Sequence, residues 1–246
     1  MVRVHMAQRA SAFPPTFLPM PGSPLGPAGP LASLVAADDD TFNYEEPLAV
    51  RRVIVLMRLA PHLAAEMDWH LFAICNPATG GDRHVLPPLE WSSADYGCVR
   101  GYAIVTAADS DLDGATSAEG HFTFSQLLVI TKSYSGTVRD HHYLHSYSAA
   151  TCSWSTHTRC LDADRYSLVG ERSAVVHQGA AHWLCIDDHG HIRRGNAATC
   201  ENRLYKLSVE VATGDISLTK LPVRGGGKPL LCVTKDSKLA VPSVQG

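Results

Sequence analysis

In Leu204-Tyr205-Lys206-Leu207-Ser208-Val209-Glu210-Val211, one parity holds Tyr205, Leu207, Val209 and Val211, and the other holds Lys206, Ser208 and Glu210. A repeat of two is that of a pleated strand. A helix of this sequence would scatter the same apolar side chains around its circumference and bury no continuous stripe. Ala212-Thr213-Gly214-Asp215 follows, a run of turn formers, and then a second strand-like run, Asp215–Leu221. Strand, turn and strand in this order predict an antiparallel hairpin.

The same grammar extends outward in both directions. Further strand-like runs are Val50–Leu59, Trp69–Cys75, Cys98–Ala107, Phe122–Thr131, His142–Tyr147, Ala174–His177, Ala180–Ile186, Leu230–Thr234 and Leu239–Val241. Only Leu59–His70 has a helical look, and Pro61 near its start fits a single short helix. Many short strands punctuated by Gly, Pro, Asn and Asp predict an antiparallel all-β domain, and the lack of alternating helices excludes a parallel α/β sheet.

A strand ending in a short turn with Thr recurs three times. Asn76-Pro77-Ala78-Thr79-Gly80 leads to Val85-Leu86-Pro87, Ser148-Ala149-Ala150-Thr151-Cys152 leads to Trp154, and Val211-Ala212-Thr213-Gly214-Asp215 leads to Leu221-Pro222. The threonines stand 72 and 62 residues apart (79 to 151, 151 to 213). Blade repeats run at roughly 40–50 residues, so these intervals predict insertions between copies or a blade whose copy has drifted. The polar stretch Asp109–Gly120 is one such insertion. Each copy is a hairpin that must stack on a neighbour to bury its apolar face.

Composition bounds the function. The 246 residues are 45% hydrophobic and 18% charged, enough apolar material for a packed core. Net charge is −3 and the pI about 6.5, which argues against a nucleic-acid-binding surface as the main purpose. The seven cysteines are odd in number and form no C-x-x-C, so they read as reduced thiols of an intracellular protein, cytoplasmic or nuclear. The most apolar stretch, Val53–Leu59, falls far short of the ~20 residues of a membrane span. Residues 1–37 carry Pro14, Pro15, Pro19, Pro21, Pro24, Pro27 and Pro30, which exclude helix and central strand, so residues 1–40 are expected to be a disordered leader. Arg3 and Arg9 without an acidic residue give that leader a weak likeness to a transit peptide.

Candidate chemical constellations are weak. Asp109-Ser110-Asp111-Leu112-Asp113-Gly114 opens like a calcium loop, but its twelfth position is Gly120, with Glu119 one residue early. Cys185, His189, His191 and Cys200, with His182 nearby, supply zinc-type ligands at a spacing that fits no standard finger. His141, His142 and His145 form a second cluster, in which His142 and His145 fall on opposite faces of a strand and so are poor co-ligands. Arg224-Gly225-Gly226-Gly227-Lys228-Pro229 resembles a phosphate loop but has Pro222 where glycine is required and Pro229 after the lysine. No G-x-S-x-G elbow occurs. No catalytic residue, metal or cofactor is therefore expected. Trp183, Trp154, Trp69 and Trp91 are candidate binding-surface anchors, but tryptophans on repeated strands are more often core between blades, and Trp183 and Trp154 read as core.

Ser173-Ala174-Val175-Val176-His177-Gln178-Gly179-Ala180-Ala181-His182-Trp183-Leu184 resembles the signature hairpin of plant F-box-associated domains, in which a two-residue turn ending in Gly precedes a His/Tyr-Trp-Leu strand. Cys75-Asn76-Pro77-Ala78-Thr79-Gly80 with Leu86-Pro87-Pro88-Leu89 is similar to that family's C-N-P-x-T-G and L-P-P-L elements. Leu230–Val241 is similar to its closing L-x-V-x-x-D-G-x-L hairpin, with Ser237 in place of Gly. The likeness spans about residues 40–246 and is nearest the grass branch of the family. It implies a kelch-like β-propeller that holds a protein target, and it marks Asn76, Pro77, Thr79, Gly80, Gly179, His182, Trp183, Leu184, Thr213 and Gly214 as structural signature positions. In that family a preceding F-box docks on the Skp1 adaptor of a ubiquitin ligase. The proline-rich leader cannot form the F-box helices, so this chain is expected not to dock Skp1 unless a longer form carries that box.

At roughly 40–50 residues per blade, residues 41–246 make about four blades, an incomplete or small ring. The resulting expectation is a non-enzymatic protein-recognition module for an unidentified target. The alternatives are a propeller enzyme or carbohydrate binder, and a degenerate paralogue or fragment.

Overall fold

The computed structural model describes residues 16–17, 29–30, 42–52, 54–61, 70–76, 83–89, 96–110, 123–134, 140–170, 172–187, 203–224 and 228–244. The chain divides into two compact units, Met1–Pro88 and Leu89–Gly246. Among the described residues no helix is long and apolar enough to cross a membrane.

In the first unit, β1 (Thr16–Phe17) and β2 (Gly29–Pro30) form a two-residue antiparallel ribbon. A four-stranded meander follows: β3 (Phe42–Arg51), β4 (Ile54–Pro61), β5 (Leu71–Cys75) and β6 (Arg83–Val85), paired in that order. β5 is buried along its whole length, and the cross-strand pairs Val55–Cys75, Met57–Ala73 and Leu59–Leu71 form the apolar cluster of this unit. Strands buried on both faces read as continuous apolar runs, which is why β4 and β5 stand out in the sequence.

Two readings of this region are corrected. Val50–Leu59 is not one strand. It folds back at Arg52, whose φ is 55°, so that Val50 pairs with Val55 and Arg51 with Ile54. Apolar residues continue on both sides of a turn that contains no Gly, Asn or Asp, and nothing in the pattern marks it. The helix expected over Leu59–His70 begins instead as the end of β4, through Pro61, and His70 sits in a β-bridge. Residues 62–69 of that expectation lie outside the described residues.

The second unit holds two larger sheets. One contains β7 (Tyr96–Thr106), β8 (Phe124–Tyr134), β9 (His141–Ser148) and β10 (Ser153–Trp154) in meander order, with β11 (Thr158–Asp162) also pairing β9. A single helical turn, α1 (Ala107–Ser110), follows β7. The other sheet contains β12 (Tyr166–Val169) and β13 (Val175–His177), both on β14 (Ala180–Asp187), then β15 (Arg203–Glu210) and β16 (Ile216–Arg224). The period-two run that opened the sequence reading is β15, with the hairpin to β16 as expected. A narrow ribbon closes the described chain, with β17 (Lys228–Pro229) pairing β20 (Ser243–Val244) and β18 (Cys232–Val233) pairing β19 (Leu239–Ala240). The chain is therefore all-β, built of several antiparallel sheets.

One core joins the two large sheets. Ala103, Leu128, Ile130 and Leu144 from the first pack with Ala181, Trp183, Cys185, Leu207 and Val209 from the second. The sheets also meet through backbone. Between β12 and β13 the chain leaves β14 opposite Trp183, and Tyr102 of β7 donates to Arg172 O (2.8 Å) and accepts from Ala174 N–H (2.7 Å). Tyr102 and Ser173 thus form a parallel bridge, so β7 and the approach to β13 run in the same direction.

The sequence repeat maps onto this architecture. Thr151 lies in the turn from β9 to β10, Thr213 in the turn from β15 to β16, and residue 79 falls between β5 and β6. β3 to β6, β7 to β10 and β13 to β16 are each a run of four consecutive strands paired in order within its sheet, and in each run this is the connection from the third strand to the fourth.

Candidate functional site

The parallel bridge sets the polarity of the second unit. β9 runs parallel to β7, and β15 runs parallel to β13, so four connections emerge at one end: α1, the Ser148–Ser153 turn, the Gln178-Gly179 turn and the 211–215 turn. Ala107, Ala108, Thr151, Cys152, Gln178, Thr213 and Asp215 are exposed there. Turns presented by a rigid sheet scaffold are a common place for recognition.

These turns are held by their own side chains. Asp109 accepts from Thr106 N–H (2.8 Å) and from the Thr106 hydroxyl (2.7 Å), which caps the start of α1. The Thr213 hydroxyl donates to Asp215 Oδ2 (2.8 Å) and accepts from Asp215 N–H (3.2 Å), while Val211 N–H donates to Gly179 O (2.8 Å) and ties two turns together. Gln178 (φ 49°) and Gly179 (φ 73°) both take positive φ, the requirement of a tight hairpin turn whose twist matches its strands.

The residue after each repeat threonine also has positive φ where it is described: Gly214 at 76° and Cys152 at 50°. A side chain in this region costs about 1–2 kcal/mol. Cys152→Gly is therefore expected to raise unfolding stability by about 0.5–1 kcal/mol, after the added freedom of the unfolded chain is deducted. The urea midpoint measures it, and a lowered midpoint would show that the Cys152 side chain contributes more than its strain. Ser237, which stands where the resembled motif has glycine, also sits at positive φ, 55°.

Trp183 is 2% exposed, in the centre of the two-sheet core, and Leu184 is buried on the opposite face of β14. His182 is buried, with Nδ1 2.9 Å from the hydroxyl of Ser208, and burial lowers its pKa to about 4, with Lys206 acting in the same direction. Asn76 is half-buried at the end of β5, whereas Pro77, Thr79 and Gly80 lie outside the described residues. Trp154 is half-buried with its ring 5.4 Å from that of Tyr147, and Trp69 and Trp91 lie outside the described residues.

The histidines of β9 separate as alternation requires. His142 directs Nε2 to Tyr166 O on β12 (3.2 Å), while His145 Nε2 lies 3.0 Å from the Thr131 hydroxyl. Cys185 faces the core beside Cys160, and burial pushes both thiols up to about 12, the opposite of what a metal ligand or nucleophile needs. His189, His191 and Cys200, the calcium-like residues 111–114, 119 and 120, and the glycines 225–227 lie outside the described residues. Among the described residues no group of three His, Cys, Asp or Glu could hold a metal ion.

One position escaped the sequence reading. A Cβ on Gly101 would stand 2.7 Å from Trp183 Nε1 and 3.1 Å from its Cδ1, so the indole lies directly on the β7 backbone. An isolated glycine inside a strand-like run is the signal that marks such an approach. No protein-family model matches the chain, and no curated protein matches it.

Proposed function

We propose that the chain is a non-enzymatic protein-recognition module, a kelch-like propeller of roughly four blades related to plant F-box-associated domains, which holds a protein target at the turn-bearing end of its sheets. The observation that carries this reading is the shared connection. Three four-stranded meanders of consecutive strands have the threonine repeat, or its sequence position, at the same third-to-fourth turn. The parallel bridge between β7 and the approach to β13 adds to it, since neighbouring blades run their first strands in one direction. The turns are pre-tied by the Thr213–Asp215 and Thr106–Asp109 bonds, which reduces the ordering cost of binding. On this reading Skp1 is a partner only of a form that carries an F-box.

The test is affinity capture by the full chain from native tissue extract with mass spectrometry, repeated with Thr151→Arg and Gln178→Arg, two exposed substitutions at the turn end. A discrete target that both variants lose is the expected result. A target retained by both variants would move the site elsewhere. Skp1 and cullin with the wild-type chain would overturn the claim that this form does not dock the adaptor, and recovery of chaperones alone would overturn the recognition reading.

A further inference from the structure

β16 is an outer strand. It pairs with β15 on one side, and among the described residues no strand lies on the other. Glu210 N–H donates to Asp215 O (2.9 Å), which fixes the phase of the antiparallel ladder. Ser217 and Thr219 turn their backbone groups toward β15, and Ile216, Leu218 and Lys220 turn theirs outward. Ser217, Thr219 and Lys220 are exposed. An open row of donors and acceptors is a template for a further strand.

This edge is basic in a chain whose net charge is −3. Lys220 stands opposite Tyr205, while Lys206 stands opposite Thr219, so cations occupy both faces of the ribbon. Among the described residues Arg203, Lys206 and Lys220 have no carboxylate in salt-bridge range, and the ribbon's own acids, Glu210 and Asp215, sit at its far, turn end. Two tyrosines pave the same end: Tyr205 meets Tyr166 edge-on at 5.3 Å, and Arg165 lies 4.9 Å over the Tyr166 ring.

We infer that the outer edge of β16 docks an extended acidic segment of a partner protein as an added strand along Ile216–Leu221. Carboxylates on one face of that segment meet Lys220 and Arg203, and those on the other meet Lys206. Pro222, which has no N–H, bounds the stretch. A second copy of this chain is the wrong occupant, because edge-to-edge pairing would set its lysines and arginines against the same cations, and like charges across strands repel. The inference rests on the recognition-module reading and adds a second contact, on a sheet edge, to the turn end.

Fluorescence anisotropy with the full chain tests it, using a labelled octapeptide of repeating Glu-Glu-Val-Val, which carries carboxylates on both faces of a strand, the corresponding Lys/Val peptide, and a Glu/Val peptide methylated at every backbone nitrogen. Saturable binding of the Glu/Val peptide alone is expected. Lys220→Glu and Lys206→Glu should each weaken it roughly tenfold, as should raising salt well beyond the physiological range. No binding, equal binding of the Lys/Val peptide, or unchanged affinity in both variants would overturn the inference. Undiminished binding of the methylated peptide would overturn the added-strand geometry, and a dimer abolished by Lys220→Glu would make a second copy the occupant. Target capture in the extract experiment that Lys220→Glu leaves intact, together with a silent peptide assay, would sink the edge site and leave the recognition reading standing.

Discussion

Replacing Gly101 with alanine is expected to destabilise the second unit by about 2–3 kcal/mol, the cost of forcing a buried group into a filled site. The new methyl would stand 2.7 Å from Trp183 Nε1, and the indole has nowhere to retreat, since it is 2% exposed and packed in the two-sheet core. Trp183→Ala should cost about 3–5 kcal/mol through the cavity it leaves. Trp183→Phe should cost far less. Its indole N–H is buried without a hydrogen-bond partner, so phenylalanine removes an unpaired donor along with the ring area it loses. The smaller ring also makes room for the alanine. Gly101→Ala in the Trp183→Phe background should therefore cost at least about 1 kcal/mol less than in the native chain, a coupling that a double-mutant cycle in urea reads directly. Additive effects would show that the close approach of indole to β7 does not constrain the fold.

Trp183 also illustrates what the sequence did and did not disclose. Its place in a His-Trp-Leu strand after a Gln-Gly turn was legible, because period-two burial and a two-residue turn are local properties. Its neighbour was not. Gly101 comes from a different sheet, and only the packing of Ala103, Leu128 and Ile130 against β14 brings the two together. The same division holds for the strands. β15, β14, β8 and β7 were legible because they are long and apolar, whereas β11 (Thr-Arg-Cys-Leu-Asp) and β12 (Tyr-Ser-Leu-Val) are short, half-exposed edge pieces whose pairing comes from β9 and β14. The Arg52 turn was hidden by residues that usually avoid positive φ.

For the candidate site, the threonine repeat located the turns, but it could not say that they share an end. That follows from one backbone feature, the Tyr102–Ser173 bridge, which fixes β7 and β13 as parallel and so brings the turns after β9, β13 and β15 to the same side. The zinc-like set shows the converse. Cys185 was a plausible ligand by residue type, yet the alternation of β14 sends it to the core with Trp183 and leaves His182 on the other face. Residue type at a loose spacing carries little once strand parity is imposed.

Acid should weaken the fold between pH about 6.5 and about 4, through His142 and His182, whose pKa values are both lowered to about 4. Burial is the first cause in each. Lys132 and Arg100 add to it at His142, and Lys206 at His182. Both residues are buried, at 2% and 6% exposure. The sign follows from proton uptake: below pH 6.5 the unfolded chain gains protons on these imidazoles while the folded chain does not. The stability they contribute is therefore complete above pH 6.5 and falls as the pH drops toward 4. The loss is on the order of 3 kcal/mol for each residue, set by the fall of the pKa from 6.5 to about 4. Geometry gives the reason at His142. Its Nε2 lies 3.2 Å from Tyr166 O across the two sheets, and its Nδ1 is buried without a hydrogen-bond partner, so a second proton would enter a desolvated site beside two cations. His142→Gln, which keeps a donor for Tyr166 O, should flatten the pH dependence by about half while leaving stability at pH 7 within about 1–2 kcal/mol of native. His182→Asn, which keeps a group for the Ser208 hydroxyl, should remove much of the rest. Urea midpoints measured from pH 7.5 to 4.5 decide it: an unchanged slope in the double variant would take the acid sensitivity away from the two imidazoles.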